Sequence, residues 1–182
     1  MKKINGGICA AKGFKASGMY CGIKTSGTDS QNPDMPHKND ICMYVSDTVC
    51  TTAAVYTQNK VKGAPITVTK ANLEKSGNKA VAVIANSKNA NTCNVDGIEK
   101  AEKMCALVAD ELNIPKEQVV VASTGVIGLV LPIEPVEKAV PLLAQKLDYH
   151  GNAEAASAIM TTDTVMKEYA VEFEIGGKIC HL

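Results

Sequence analysis

The chain has no tryptophan, two phenylalanines and five tyrosines in 182 residues. Its core must come from Ala, Val, Ile, Leu and Met, and stacking platforms for single-stranded nucleic acid or sugars are hard to build. Net charge is missing too: 19 basic residues balance 19 acidic ones. No electrostatic footprint for nucleic acid or an anionic membrane results. No apolar run approaches the ~18 residues of a membrane span. The opening MKKINGGICAAKGF carries lysines without an apolar stretch behind them, so no secretory signal is expected. None of the seven cysteines (Cys9, Cys21, Cys42, Cys50, Cys93, Cys105, Cys180) falls in a CxxC pair. An odd count at scattered spacing argues against a disulfide framework or zinc knuckle, and for small buried thiols in a reducing cytoplasm. His37, His150 and His181 lie far apart with no partner at helical spacing, so no metal site is expected. HExxH, GxSxG and GxxxxGK[ST] are absent, which removes the signatures of zincins, α/β-hydrolases and P-loop proteins.

What remains is 46% hydrophobic and 21% charged, an ordinary globular balance. The length suits one domain over 1–182, with a segment at 1–40 rich in Gly, Lys, Ser, Asn and Pro that reads as loop with short extended pieces. Within it, Thr25 to Asn39 is the most loop-like tract, expected as a solvated surface loop. Residues 41–46 and 52–57 are strand-like, and 79–85 (KAVAVIA) is a short apolar run suited to a strand buried on both faces. Ile98, Ala101, Cys105, Val108 and Leu112 recur at three- and four-residue steps and predict a helix over 95–112, stopped by Pro115. A buried strand at 119–122 follows, then helices at 135–147, with Pro141 expected to kink it, and 152–161. Val171, Phe173 and Ile175 alternate with Glu172 and Glu174. Gly176-Gly177 then turns a hairpin into a return strand with Ile179 and Leu182. Strands and helices alternate, so the expected class is α/β or α+β around a layered sheet. Because the sequence stops as the return strand begins, the chain is expected to be a piece of a larger fold.

Three segments could carry chemistry. The first is Ala122-Ser-Thr-Gly-Val-Ile-Gly128, directly after a strand. Ligands bind at the carboxyl ends of strands in α/β sheets. Gly125 would let the backbone approach a reacting atom, and the Thr124 hydroxyl would add a donor, together forming an oxyanion hole. The same residues also suit a plain tight turn with glycine at positive φ, which spacing alone favours. The second is Asn86-Ser-Lys-Asn-Ala-Asn-Thr-Cys93, which could orient a polar substrate or equally supply turns and a cap from Asn94 or Asp96. The third is Ala156 to Thr164, where a small-residue helix runs into clustered hydroxyls; simple helix termination and the start of the next strand account for it as well. Cys9, Cys21 and Cys93 sit in polar contexts with no nearby His to activate a thiolate.

Taken in order, Gly13-Phe-x-Ala-x-Gly18 with Gly22-Ile-Lys24, Val45-Ser-Asp47, the Asn86–Cys93 run, Ser123-Thr-Gly-Val-Ile-Gly128 with Leu131-Pro132, and Ala156–Thr164 resemble the ornithine acetyltransferase family. It is also called the bifunctional glutamate N-acetyltransferase family of arginine biosynthesis. The likeness is colinear over nearly the whole chain. It implies a cytoplasmic enzyme made as one precursor that cuts itself into α and β chains, giving an α₂β₂ assembly. The new N-terminal Thr of the β chain is then the nucleophile that moves acetyl from N²-acetylornithine to glutamate. Acetyl-CoA is an alternative donor in some members, and no tightly held cofactor or metal is implied.

This chain resembles the α part, with its sheet and active site completed by the β chain. Thr124 and Gly125 match the family's oxyanion stabilisers, and Thr161, the first threonine of MTTDT, matches a substrate contact. Lys88 stands where the family usually has glycine, so a local backbone difference is expected there. The nucleophile and a substrate-binding lysine of the family lie outside these 182 residues. Two rivals stand beside this reading: a self-processing amidohydrolase or aminopeptidase of similar fold, and a non-catalytic metabolite-binding module.

Overall fold

The apolar runs at 41–46, 79–85 and 119–122 become neighbours in one sheet. The computed structural model describes residues 1–25 and 37–182. In chain order its elements are β1 (Lys2–Ile4), β2 (Phe14–Met19), β3 (Ile41–Thr51), α1 (Ala64–Lys75), β4 (Lys79–Asn86), α2 (Gly97–Leu112), β5 (Val119–Ser123), α3 (Glu134–Gln145), α4 (Asn152–Ala158), β6 (Ala170–Ile175) and β7 (Lys178–His181). The main sheet has the order β2-β3-β4-β5, antiparallel except for the parallel pair β4–β5, and a smaller antiparallel sheet has the order β1-β6-β7. The mixed, layered α/β class expected from the sequence is what the chain adopts.

Strand alternation divides the main sheet into two faces. Ile41 and Met43 of β3, Ala82 and Ile84 of β4, and Val119 and Val121 of β5 face α1, α2 and α3 and are buried in the main core. The opposite face carries Ala16, Cys42 and Ala85, packed against Ala155 and Ala158 of α4. Small residues let that helix lie almost on the backbone of β2: a Cβ on Gly18 would stand 2.1 Å from the carbonyl oxygen of Glu154. The sequence places alanine and glycine where contact distance leaves no room for anything larger.

α2 follows its pattern, with Ala101, Met104, Cys105 and Val108 buried. Asn113 ends it in the left-handed conformation (φ 52°), Ile114 N donates to Ala109 O, and Pro115 prevents continuation. Ile98, expected on the buried stripe, is instead 44% exposed at the first turn. α3 continues through Pro141.

Several expectations need correcting. Residues 52–57 are not a strand. β3 instead runs on to Thr51 past an irregularity between Val45 and Cys50, after which Val55 projects fully into solvent without a pairing partner. The 1–40 segment contains a six-residue strand, β2, in full register with β3 from Phe14↔Ser46 to Met19↔Ile41. α1 had no counterpart in the sequence reading, since Ile66, Thr67, Val68 and Thr69 look like strand. Its helix starts at Ala64 with Pro65 in the first turn and is held by tertiary bonds. Thr69 Oγ1 donates to Val121 O (2.8 Å) and accepts from Val121 N (3.0 Å), capping the open edge of β5. The third helix ends at Ala158, and β6 starts only at Ala170. The loop expected at 25–39 lies, from 26 to 36, outside the described residues.

The terminal hairpin forms as read, with Gly176 and Gly177 at φ 57° and 77°. Its alternation does not translate into a buried face, for Ile175 and Ile179 remain 64% and 63% exposed.

Candidate active site at the carboxyl edge of the sheet

The parallel strands β4 and β5 end side by side, with Asn86 opposite Ser123. This is the edge at which α/β sheets bind ligands. Asn86 is fully buried, and both the amide protons and the oxygen of its side chain are bonded to the loops beyond. Its Oδ1 accepts from Ser123 Oγ (2.6 Å), and its Nδ2 donates to Ser87 O (3.2 Å) and Asn89 O (2.9 Å). Its backbone carbonyl accepts from Thr124 N (3.0 Å).

From there the loops after β4 and β5 run together. Val126 N donates to Lys88 O and Ala90 N to Val126 O, each at 2.9 Å. Gly125 sits at this junction with φ 133°, and a Cβ there would lie 2.2 Å from the carbonyl carbon of Lys88. Only glycine fits, for reasons of both backbone angle and space. Lys88 itself holds the left-handed conformation at φ 76°.

The result is a pair of unspent donors. Thr124 and Gly125 are exposed, and the Thr124 hydroxyl and the Gly125 N–H make no hydrogen bond with any described residue. The surrounding amides of Thr124, Val126 and Gly128 are all committed to carbonyls. A tight turn accounts for the glycine. The Thr124 hydroxyl and the Gly125 N–H remain open at the strand end.

Asparagine in the following loop turns out to be structural. Asn89 and Asn91 are buried; Asn89 Nδ2 donates to Leu129 O (3.0 Å) and Asn91 Nδ2 to Gly97 O (2.9 Å) at the start of α2. Asp96 precedes that helix without a side-chain cap and instead pairs with Lys100 at 3.0 Å.

Thr161, the third predicted residue, is exposed just beyond α4. It lines a cleft of about 400 Å³ with Lys24, His37, Asn39 and Asp163. Ser87 Oγ donates to Ala158 O (2.5 Å), and Lys24 Nζ donates to Met160 O (3.1 Å), so the segment leading to Thr161 is pinned to the residue next to Asn86. The Lys167 ammonium, with the Thr161 amide behind it, holds the Asp163 carboxyl below its ordinary value. The segment before Thr161 and the loop bearing Thr124 and Gly125 are thus each bonded to the Asn86–Ser87 pair, while the cleft that Thr161 lines includes neither Thr124 nor Gly125.

Sequence reasoning missed Asp40. It is fully buried, and its carboxylate accepts from the backbone N–H groups of Cys21 (2.7 Å), Gly22 (3.2 Å) and Lys24 (2.9 Å), while its own carbonyl accepts from Ser87 N (2.8 Å). A lone acid before a strand gives no signal in a sequence. A larger cleft, of about 880 Å³ beside Phe14, Ser46 and Tyr149, lies at the opposite end of the strands and contains none of the three predicted residues.

Three of the cysteines are held as thiols by their surroundings. Cys42 and Cys105 are buried and their thiols are pushed up to about 12, and Cys21 is raised further by burial and by Asp40. Cys93 is exposed.

Against this geometry, the family model for the ArgJ family matches residues 15–182. The chain belongs to the ArgJ family. This ArgJ-family chain is 41% identical over 179 residues to the arginine biosynthesis bifunctional protein ArgJ of Caldanaerobacter subterraneus subsp. tengcongensis, covering 98% of this chain and 41% of that protein. It is 41% identical over 178 residues to the protein of the same name from Symbiobacterium thermophilum, covering 97% of this chain and 42% of that one. The chain therefore spans about two fifths of the length of the curated relatives it matches. Among solved structures it is similar to the arginine biosynthesis bifunctional protein ArgJ of Bacillus halodurans, with a TM-score of 0.87 and 34% identity, over 99% of this chain and 89% of that one. It is also similar to ornithine acetyltransferase complexed with ornithine from Mycobacterium tuberculosis, with a TM-score of 0.81 and 32% identity, over 93% of this chain and 86% of that one.

Proposed function

We propose that this chain is the α part of an acetyltransferase that moves acetyl from N²-acetylornithine to glutamate, releasing ornithine and N-acetylglutamate. The observation that carries the reading is the pair of open donors, the Thr124 hydroxyl and the Gly125 N–H, at the carboxyl edge of β4–β5. Membership of the ArgJ family and similarity to a structure complexed with ornithine support it.

The nucleophile is the N-terminal Thr of a β chain produced from the same precursor, and its α-amine is the base. The Thr hydroxyl oxygen attacks the acetyl carbonyl of N²-acetylornithine and its proton passes to the amine. Negative charge on the carbonyl oxygen is met by Thr124 and Gly125. The C–N bond breaks, ornithine leaves with the proton, and acetyl remains as an ester on Thr. The α-amine of glutamate then attacks that ester and loses a proton to the Thr amine. The Thr oxygen departs and recovers its proton. Thr161 contacts the substrate in the cleft beside Lys24 and Asp163. The reaction needs no metal or tightly held cofactor, and acetyl-CoA is an alternative donor to glutamate.

The β chain completes the sheet and the site in an α₂β₂ assembly, which gives the exposed apolar residues Ile175 and Ile179 a place to be buried. The assembly works in the cytoplasm; no helix among the described residues is long and apolar enough to cross a membrane.

Product analysis tests the reading. The full-length enzyme, incubated with N²-acetylornithine and glutamate, should yield N-acetylglutamate and ornithine in equal amounts. Acetate in place of N-acetylglutamate would make it an amidohydrolase instead, and absence of any acetyl-enzyme would leave only a binding module.

A further inference from the structure

Two adjacent residues, Asn86 and Ser87, tie together parts of the site that are remote in sequence. Asn86 holds the loop after β5: its carbonyl takes Thr124 N at 3.0 Å and its Oδ1 takes Ser123 Oγ at 2.6 Å. Ser87 holds the segment after α4, donating Oγ to Ala158 O at 2.5 Å across 71 residues of chain. Both side chains are fully buried, and neither reaches the open cleft. Asp40 fixes Ser87 from behind through its carbonyl (2.8 Å), and the same residue's carboxylate fixes the backbone of Lys24. In a low-dielectric setting such bonds are stiff, and each is expensive to leave unmade.

We propose that Asn86–Ser87 is a positioning dipeptide with two separable outputs. The Asn86–Ser123 arm aims the Thr124 hydroxyl and Gly125 amide at the developing oxyanion. The Ser87–Ala158 arm sets the place of Thr161 and the floor of the substrate cleft. The strand-end geometry gives each arm a different target, so each should govern a different kinetic constant. This inference rests on the acetyl-transfer reading above.

Removing one oxygen from each arm tests it. In the full-length enzyme, Ser123→Ala loosens only the oxyanion loop. It is expected to lower kcat about tenfold with little change in KM for N²-acetylornithine, the pattern of an interaction made in the transition state. Ser123→Thr keeps the hydroxyl and should restore kcat. Ser87→Ala loosens only the cleft segment and is expected to raise KM about tenfold at nearly unchanged kcat, the pattern of lost uniform binding. Counting active sites by acetyl-enzyme formation, together with melting temperatures, removes any misfolded fraction. A merely structural role would lower stability and shift both variants in the same way. That outcome, or wild-type constants in both variants, overturns the proposal. If the wild-type enzyme transfers no acetyl at all, the functional reading fails and this inference falls with it.

Discussion

The backbone of Lys88 lies against Gly125 so closely that a Cβ on Gly125 would stand 2.2 Å from the Lys88 carbonyl carbon. The contact locks the loop after β4 to the loop after β5, and it does so beside the two open donors. Substitution Gly125→Ala must push these loops apart while forcing alanine to φ 133°. The expected result is a loss of about 1–3 kcal/mol in unfolding free energy. Acetyl transfer should fall by about 10² or more, because displaced donors no longer meet the oxyanion. Denaturant titration and steady-state assays of one preparation check both parts; normal activity would show that the Gly125 amide is not needed where it now lies.

The other side of that contact predicts a gain. Lys88 occupies the left-handed region (φ 76°) at a cost in strain that glycine escapes. Left-handed backbone costs a side-chain-bearing residue about 1–2 kcal/mol, and glycine returns part of that as extra freedom of the unfolded chain. Lys88→Gly should therefore raise the unfolding free energy by up to about 1 kcal/mol, read as a higher denaturation midpoint at unchanged slope. A lower midpoint would mean that the lysine side chain holds the loop by contacts of its own.

The buried thiols predict a pH dependence. Burial raises Cys42 and Cys105 from an ordinary value of 9.0 to about 12. A raised acid favours the protonated native state. Its contribution is whole below the unfolded value and is lost as pH rises through the folded one. Unfolding free energy should thus decline between about pH 9 and pH 12, more steeply than in a Cys42→Ala, Cys105→Ala double variant. At neutral pH a thiol reagent should label the exposed Cys93 first and reach Cys42 and Cys105 only on unfolding. Rapid native labelling of Cys105 would contradict the packing of α2 on β5.

How far these features could be read in advance depended on the range of the interaction involved. α2 declared itself because Ala101, Cys105 and Val108 repeat at helical spacing and are buried for the same reason. Thr124 and Gly125 stood out because a strand end followed by small residues is a local pattern. α1 stayed hidden because its β-branched residues disfavour helix, while the bonds from Thr69 and Asn72 to β5 that hold it come from distant sequence. Asn86, Asn89 and Asn91 looked like loop formers or substrate contacts with equal reason; only the positions of Ser123, Leu129 and Gly97 reveal them as a buried scaffold. Asp40 and the Ser87–Ala158 bond carry no local signature. Thr124 and Gly125 could be singled out as candidates from local sequence, and the buried frame around them could not.

The most direct test of the account is the turnover of Thr124→Ala in the full-length enzyme, with correct folding verified by its melting temperature and chain masses. Thr124 is exposed and its hydroxyl makes no bond to any described residue, so its removal should leave the fold intact. Loss of one oxyanion donor typically lowers kcat by ~10²–10³. A fall of that size is expected in acetyl transfer from N²-acetylornithine to glutamate. Undiminished turnover in a correctly assembled Thr124→Ala enzyme would contradict it.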